Sequence, residues 1–410
     1  MQSGTKTQSE PPSRRSKNHA IQQRIPWWQD ISAEVYAELQ LPPVDEAELQ
    51  SVDVVIIGAG VAGLSAALAI KERDASIGVL VLEQEEMLGY GATGRNAGIF
   101  TPGINTAMSE IPPGDPALAF YPETTALFHK FIAEGQKAGT LLYTRQTGAI
   151  NMATSKRAAH KLEREAHVRV QAGLRAELWM PAQVSEATQG RLDTKTVVSA
   201  MWLPDEGRIQ PLTLLAHLAR RARQAYKVQV AGRARVTDYA EAQKQGQPAG
   251  WQVTLANGTR LQARALVDCV GPIVEANARI YALAFKANFP DTFPLFWDAS
   301  PYTYADYRPG NGRLGVSGGH YGKAGVAKND DAYYQRLADA TRRWVPELRG
   351  KRPAYRWAVD LEVSADLIPE MSIMDERALG VAIEGLGAQG VLPSMVLARQ
   401  AADYLLERIS

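Results

Sequence analysis

The sequence VDVVIIGAGVAG occupies residues 52–63. Its first half is rich in β-branched residues, which is typical of a parallel strand buried on both faces. Its second half has the spacing G-x-G-x-x-G, a weak signal when it stands alone. In the dinucleotide-binding fold the three glycines have distinct functions: Gly58 permits the tight turn, Gly60 leaves room for a pyrophosphate, and Gly63 lets the next helix pack closely.

The residues after this motif complete a β-α-β unit. Residues 64–70 favour a helix, residues 78–82 favour a second buried strand, and Glu83 ends that strand. The helix start offers free N–H groups to phosphates, and a carboxylate at this position can accept hydrogen bonds from ribose hydroxyls. A glycine-rich turn in an unrelated α/β fold is the alternative. The expected contacts to the dinucleotide are Gly58, Gly60, Val61, Ala62, Gly63, Glu83 and Gln84.

The next loop, GYGATGRNAG at residues 89–98, favours FAD over a nicotinamide dinucleotide. It combines permissive glycines with a hydroxyl, a guanidinium and an amide, so it can wrap a pyrophosphate and continue toward a flavin ring. A flexible surface loop is the alternative. The cofactor contacts expected from this loop are Thr93, Gly94, Arg95, Asn96 and Ala97.

Composition narrows the class of protein. A chain of 410 residues suits two intertwined domains. The net charge of +1, from 45 basic and 44 acidic residues, argues against an electrostatic role on nucleic acid or a membrane surface. No apolar run approaches the roughly 20 residues that span a bilayer. The single cysteine, Cys269, is expected in the core; it excludes an intramolecular disulfide, and no metal site is expected.

The N-terminal part of the chain divides into two segments. Residues 1 to about 24 are polar and are expected to be disordered. Arg14 and Arg15 lack the following apolar segment of an export signal, so a cytoplasmic location is the default expectation. Trp27 and Trp28 are expected to dock on the body of the protein, and binding of a protein partner through them is the alternative.

The remaining pattern alternates between helices and strands. Helices are predicted at residues 31–40, 122–137, 156–172, 211–225 and 392–408. Strands are predicted at residues 228–230, 236–239, 251–255, 260–266, 265–270 and 381–383, and a tyrosine-rich antiparallel sheet at 297–321.

The glycine motif, the loop at 89–98 and four later segments resemble the FAD-dependent D-amino-acid oxidase superfamily, which includes glycine oxidase, sarcosine oxidase and γ-glutamylputrescine oxidase. The resemblance covers most of the chain after about residue 50. The later segments are DEGRIQP at 205–211, RVT at 235–237 with ALVDCVG at 265–271, YRP at 307–309 with GRL at 312–314, and GLGAQGV at 385–391.

The resemblance implies an α/β fold: a Rossmann-type FAD-binding domain with an inserted substrate domain of antiparallel sheet plus helices. It implies non-covalent FAD, because the covalent cysteine of some members lies elsewhere. It adds as cofactor contacts Val236, Gly271, Gly387, Ala388, Gln389, Gly390 and Val391. The expected divisions are a tail and docking helix (1–50), FAD-binding parts at 51–105, 196–280 and 355–410, and substrate parts at 106–195 and 281–354.

Two departures from the family pattern concern the substrate and the electron acceptor. Amino-acid oxidases of the family often hold the substrate carboxylate with an arginine before the last flavin loop, and Leu361 occupies that position here, with Arg356 nearby. Sarcosine oxidases carry a lysine near the flavin that helps oxygen react, and none occurs at residues 316–320. The sequence therefore favours an amine or N-substituted substrate over a simple α-amino acid.

The expected reaction is oxidation of the C–N bond of a small amine or amino acid to an imine, with oxygen or another acceptor reoxidising the flavin. The alternatives are a dehydrogenase that passes electrons to a quinone or protein, and a non-catalytic flavin-bearing partner subunit. Alternation along a strand would place Tyr302 and Tyr304 on one face. The candidate catalytic residues are Tyr302, Tyr304, His320, Arg356 and Gln389. Each also has a purely structural interpretation, such as a surface ion pair for Arg356.

Overall fold

The structure, a computed structural model, describes residues 22–44, 52–137, 139–244, 247–270, 276–298 and 305–409. Residues 1–21 of the predicted tail, Gly271, Tyr302 and Tyr304 lie outside these residues, as do the side chains of residues 319–321. Residues 22–24, which were expected to belong to the disordered tail, form a helical turn. The α-helices are numbered α1 to α8 in the order Ala33–Leu39, Val61–Arg73, Phe120–Gly135, Lys156–Gln171, Pro181–Ala187, Pro211–Arg220, Asp330–Trp344 and Val391–Ile409.

The strands form two large sheets and one small one. They are numbered β1 to β19 in the order Val52–Ile57, Val79–Leu82, Ile99–Phe100, Thr144–Gln146, Ala149–Ala153, Glu177–Trp179, Ser199–Leu203, Gly207–Ile209, Gln229–Ala231, Val236–Lys244, Gln247–Leu255, Arg260–Asp268, Ala278–Lys286, Leu295–Asp298, Ala305–Gly310, Arg313–Lys323, Tyr355–Leu361, Glu370–Asp375 and Gly380–Glu384.

The first sheet is built around the predicted β-α-β unit. Strand β1 lies between β2 and β12 and pairs in parallel with both. The order is β10-β11-β12-β1-β2-β9, and β19 pairs in parallel with the end of β12. Val54 and Ile56 pack into one hydrophobic core with helices α2, α6 and α8, whereas Val55 packs into a separate core on the other face. Burial on both faces explains why the strand is a continuous apolar run.

The second sheet has the order β17-β13-β16-β15-β14-β5-β7-β6, and all its pairs are antiparallel except β14 with β5. The antiparallel pair β15–β16 confirms the prediction for that part of residues 297–321. The two faces of the second sheet pack against different parts of the protein. Leu283 and Phe285 pack with helix α7, whereas Ala282 and Trp357 join the core of the first sheet. One face of the second sheet therefore turns toward the predicted cofactor domain.

Sheet membership differs from the expected division of the chain at two places. Strands β7 and β17 pair within the second sheet, although the expected boundaries assign both to FAD-binding parts. The sequence pattern gives the period of a strand but not the identity of its neighbour, so boundaries between intertwined domains are hard to place. We propose that the substrate part includes these two strands.

Several predicted elements differ in extent or number. Residues 106–195, expected to be mainly helical, also contain β4, β5 and β6. The two strands predicted at 260–266 and 265–270 are the single strand β12. Helix α6 ends at Arg220, and a π-helical turn continues to Ala225.

Among the described helices none is long and apolar enough to cross a membrane.

The N-terminal tryptophans dock on the body of the protein, as expected. Trp27 is 2% exposed, and its indole N–H donates to the Asn96 carbonyl at 2.8 Å. The Arg308 guanidinium lies 4.7 Å from the centre of the Trp27 ring. Trp28 stacks on Tyr90 at 5.2 Å. Because the Trp27 indole is buried and bonded to Asn96, it fixes the loop at residues 89–98. Binding of a protein partner at this segment stays a prediction.

Replacing Trp27 by alanine is expected to lower the free energy of unfolding by about 3–5 kcal/mol, the usual cost of truncating a buried tryptophan. Trp27→Phe keeps most of the buried ring but removes the indole N–H, so it should cost less, about 1–2 kcal/mol. Chemical denaturation of the three proteins measures both effects. A Trp27→Ala protein as stable as the wild type would show that the segment does not hold the loop.

Candidate functional site

The glycine motif and Glu83 form one hydrogen-bonded turn. The φ angle of Gly58 is 95°, and a Cβ on Gly63 would lie 1.9 Å from the Gly58 carbonyl oxygen. Glu83 accepts hydrogen bonds from the backbone N–H groups of Ala59 at 3.2 Å and Glu85 at 3.1 Å. Burial raises the pKa of the Glu83 carboxyl. Both predicted features, the close helix and the carboxylate beside the glycine turn, are therefore present.

Helix α2 begins with Val61 directly after Gly60, so its free N–H groups face the turn, and Ala62 lies in its first turn. The Val61 N–H lies 3.3 Å from the Thr93 hydroxyl, which brings the second predicted cofactor loop against the motif. A Cβ on Gly60 would lie 3.2 Å from the same hydroxyl. A side chain at position 60 would therefore be in tight contact with Thr93 even before a pyrophosphate approaches.

Three side chains from distant segments hold the loop at residues 89–98. Trp27 donates to the Asn96 carbonyl, Trp357 donates to the Arg95 carbonyl at 2.7 Å, and Arg308 donates to the Gly98 carbonyl at 3.0 Å. Burial, and then the charge of Arg208, lowers the pKa of Arg308 to about 9. The part of the loop from Arg95 to Gly98 is therefore held against the body of the protein, which argues against the alternative of a flexible surface loop.

The interior of this loop is arranged for a ligand. Asn96 closes it by donating to the Thr93 carbonyl at 2.8 Å and accepting from the Gly98 N–H at 2.8 Å. A Cβ on Gly94 would lie 2.0 Å from the Gly89 carbonyl oxygen. The buried Nε of Arg95 has no hydrogen-bond partner among the described residues, and burial lowers its pKa. A buried cationic donor without a partner fits an anionic or polar group of a cofactor.

The C-terminal predicted loop meets the same place. Residues Gly387–Gln389 form a short 3₁₀ turn, and Gly390 leads into helix α8, which begins at Val391. The Gln389 amide donates to the Thr101 hydroxyl at 2.9 Å. The free N–H groups at the start of α8 can stabilise negative charge on a bound group.

These segments and the second sheet enclose a cavity of about 170 Å³. One wall comes from the predicted cofactor loops and the residues around them: Ala92, Arg95, Asn96, Ala97, Ile99, Thr101, Asn105, Gly387, Ala388, Gln389, Val391 and Leu392. The opposite wall is the face of the second sheet: Ile280, Ala282, Trp297, Asp306, Ser317, Val359 and Leu361. A ligand in the cavity would therefore touch both parts of the chain.

The sheet wall contains a continuous cross-strand row. Its members are directly opposite one another on six neighbouring strands, in the order Asn151, Trp297, Asp306, Ser317, Ala282 and Trp357. Opposite residues on paired strands point to the same face, with Cβ atoms about 4.5–5.5 Å apart in antiparallel pairs. The row thus places one carboxyl group, that of Asp306, between an indole and a hydroxyl. Burial raises the pKa of Asp306 to about 7.

Arg356 does not line the cavity, which argues against its place among the candidate catalytic residues and favours its interpretation as a surface ion pair. Strand β17 turns Trp357, Val359 and Leu361 toward the cavity side, and alternation turns Arg356 to the other face. There it pairs with Asp331 at 3.0 Å, with its side chain 54% exposed. Its guanidinium also lies over the ring of Tyr334.

The other predicted contacts have different outcomes. Gln389 lines the cavity, and His320 lies on β16, where only the backbone is described. Val236 starts β10, two residues after Ala234, whose N–H donates to the Glu83 carbonyl at 2.8 Å. Gln84 is exposed beside Glu83. The contacts of all these residues with a bound cofactor stay predictions.

Sequence reasoning missed Trp297, Asp306 and Ser317. The signal for Asp306 was present, because the alternation that would put Tyr302 and Tyr304 on one face puts Asp306 on the same face. Trp297 and Ser317 could not be found in this way. Their positions depend on how three strands pair, which no local pattern states.

Comparisons with known proteins agree with FAD as the cofactor expected from the sequence. The family model described as DAO, FAD dependent oxidoreductase, matches residues 53–404. No curated protein matches the chain. Glycine oxidase from Geobacillus kaustophilus is similar in structure, with a TM-score of 0.72, 20% identity, and coverage of 88% of this chain and 95% of that one.

Two further solved structures are similar at lower identity. L-proline dehydrogenase from P. horikoshii has a TM-score of 0.74 at 16% identity, covering 88% of this chain and 94% of that one. L-amino acid deaminase from Proteus vulgaris, lacking its specific insertion sequence, has a TM-score of 0.72 at 15% identity, covering 94% and 96%. At these identities the likeness establishes the fold alone.

Within the described residues, no group of three or more His, Cys, Asp or Glu side chains could hold a metal ion.

Gly63→Ala is expected to weaken FAD binding by roughly tenfold or more, an effect equivalent to at least 1.4 kcal/mol. The added Cβ would meet the Gly58 carbonyl oxygen, so helix α2 must move off the strand. Gly91→Ala is the matched control, because a Cβ there has no neighbour within 4 Å. The FAD content of each purified protein measures the effect. Equal retention of FAD in both variants would contradict the assignment of the turn.

Proposed function

This chain belongs to the DAO family of FAD-dependent oxidoreductases, and we propose that it oxidises the C–N bond of a small amine or amino acid to an imine. Water would then hydrolyse the imine to a carbonyl compound and ammonia or an amine. The observation that carries the proposal is the cavity between the two parts of the chain. Its cofactor wall holds seven of the residues predicted to contact FAD, and its sheet wall supplies a separate surface for a substrate.

The described residues fit FAD as the bound group. The glycine turn and the start of α2 would hold its pyrophosphate, Glu83 its ribose, and the loop around Arg95 and the start of α8 its flavin. When bound, FAD supplies a two-electron acceptor for the hydrogen on the carbon next to the substrate nitrogen. The chain's own contribution is to orient the substrate and to keep water from it.

The sheet wall suits this positioning task. Ile280, Ala282, Val359 and Leu361 form an apolar surface in the cavity. Such a surface holds the carbon skeleton of a small substrate and excludes water, while a few polar groups set its orientation. Asp306, Ser317 and Gln389 are the polar side chains best placed to do so.

The proposal is tested by the visible absorbance of the flavin in the purified holoprotein without oxygen. A panel of amines, N-methyl amino acids and D-amino acids is added, each paired with the hydroxy compound of the same carbon skeleton. We expect an amine to bleach the flavin and its hydroxy counterpart to leave it oxidised. A yellow protein that no amine bleaches would contradict C–N oxidation.

The electron acceptor follows from the same experiment. After reduction, air is admitted and the return of the flavin absorbance is timed. Rapid return identifies oxygen as a competent acceptor, with hydrogen peroxide as the product. Slow return in air but rapid return with a quinone identifies a dehydrogenase that passes its electrons to another acceptor.

Arg356→Ala is expected to leave the KM for the reducing substrate within about twofold of the wild-type value, because exposed ion pairs such as that with Asp331 contribute only about 0–1 kcal/mol. Steady-state kinetics on the substrate identified above measures this. Gln389→Ala is the contrasting variant: because Gln389 lines the cavity, its loss is expected to raise the KM for the same substrate. A tenfold or larger rise in KM for Arg356→Ala alone would return Arg356 to the substrate site.

A further inference from the structure

We infer that Asp306 is the anchor of the substrate nitrogen: its carboxylate binds the ammonium group of a cationic amine and takes one proton from it. The inference rests on the proposed function and narrows its substrate class. It favours amines that bring a positive charge and no carboxylate to the sheet wall. It is carried by the position of Asp306 in the cavity, its lack of partners and the charges around it.

The position of Asp306 is set by its strand. On β15, Ala305 and Tyr307 point into the core shared with helix α7, so Asp306 points to the opposite face, which forms the cavity wall. Trp297 and Ser317 lie directly opposite it on the two neighbouring strands. Asp306 therefore projects from the middle of the sheet wall, across the cavity from the cofactor loops.

Asp306 has no hydrogen bond or ion pair among the side chains and backbone groups that the structure describes. The buried indole N–H of Trp297, which also lines the cavity, has no partner there either. Buried polar groups in folded proteins are nearly always paired, and unpaired ones concentrate where a ligand completes them. A carboxylate accepts hydrogen bonds only, so the ligand that completes Asp306 must donate them.

The charges facing Asp306 support a cationic ligand. Arg95 is the cation on the opposite wall of the cavity, and the neighbouring lining residues from β13, β14 and β16 are uncharged. Arg308, on the same face of β15, donates instead to the carbonyls of Gly98 and Ile209. Burial, and to a smaller extent the charges of Asp205 and Asp306, raises the pKa of the Glu206 carboxyl. No described cation is thus paired with Asp306.

Burial explains how the same group can bind and deprotonate an amine. The pKa of Asp306 is raised to about 7, so near neutral pH the group exchanges a proton readily. In the step proposed, an N–H bond of the ammonium breaks and an O–H bond forms on Asp306, leaving a neutral amine and a carboxylic acid. No electrons change hands in this step. The neutral amine is the form from which hydrogen can leave the adjacent carbon.

The cavity also explains why a carboxylate on the substrate would be disfavoured at this wall. Leu361 and Val359 are the lining residues from β17, and neither can pair with an anion. A substrate carboxylate near Asp306 would place two like charges in a desolvated cavity, which disfavours binding. Neutral or cationic amines avoid this repulsion.

The test uses the FAD-loaded protein and two small probes of opposite charge, tert-butylammonium and acetate. The tert-butylammonium ion donates N–H bonds but has no hydrogen on the carbon next to its nitrogen, so it cannot be oxidised to an imine and its binding is read from the change in flavin absorbance without turnover. We expect tert-butylammonium to bind the wild type more tightly as the pH rises through about 7, where Asp306 ionises. Acetate should show no such increase.

Asp306→Asn should bind tert-butylammonium about 10- to 100-fold more weakly at pH 8.5, as expected for the loss of a charged partner, and its affinity should not vary with pH. Asp306→Glu should restore part of the affinity. Asp331→Asn is the matched control, because Asp331 is a 91% exposed carboxylate on helix α7. That variant should behave as the wild type.

The outcomes separate this inference from the proposed function. Equal binding of tert-butylammonium by the wild type and Asp306→Asn, or no binding to the wild type at pH 8.5, would overturn the inference even if amines reduce the flavin. Binding that depends on Asp306 while no amine reduces the flavin would support the anchor and reject amine oxidation. If Asp306→Asn does not fold, the pH dependence of the wild type with the two probes still decides: an affinity without that rise would contradict the inference.

Discussion

The hydrogen bonds that hold the loop at residues 89–98 are the interactions on which the rest of the site depends. Trp27 reaches this loop from the N-terminal segment, and Trp357 and Arg308 reach it from the second sheet. Each donates to a carbonyl group of the loop, and each such hydrogen bond contributes about 0.5–1.5 kcal/mol; the Gly98 carbonyl also accepts from the Ile209 N–H at 2.9 Å. Because the same bonds join the loop to the second sheet, they also fix the distance between the two walls of the cavity.

The cavity contains polar groups that have no partner among the described residues. Arg95, Trp297 and Asp306 all line it, and the Arg95 Nε and the Trp297 indole N–H have no partner among the described residues. Elsewhere the polar groups that hold the loop are paired, as the bonds of Asn96 illustrate. Functional sites are where natural proteins tolerate such local costs, since a bound ligand repays them. The unpaired groups lie on both walls, which agrees with a cofactor on one side and a substrate on the other.

The N-terminal segment has a structural part in this arrangement. Trp27 packs between the Arg308 guanidinium and the loop at residues 89–98. Gln210 donates to the Trp27 carbonyl at 2.8 Å. Gln210 also caps helix α6 through its side-chain oxygen. One short segment thus connects the second sheet, a helix of the first core and the cofactor loop. Its apolar sequence is explained by burial within the chain.

The sequence by itself determined the β-α-β unit, the glycine turn and the loop at residues 89–98, because these depend on short-range spacing, whereas the loop at residues 385–391 was expected only from the resemblance to the family. Gly58 and Gly63 are five positions apart in the sequence, and their contact follows from the local turn. Only the tertiary structure decided the sheet wall, because Asn151, Trp297, Asp306 and Trp357 come together through strand pairing over long sequence separations. It also decided between Arg356 and its neighbour Trp357: a strand alternates faces at every residue, so pairing register alone turns Trp357 to the face of the sheet that meets the cofactor loop and Arg356 to the other face.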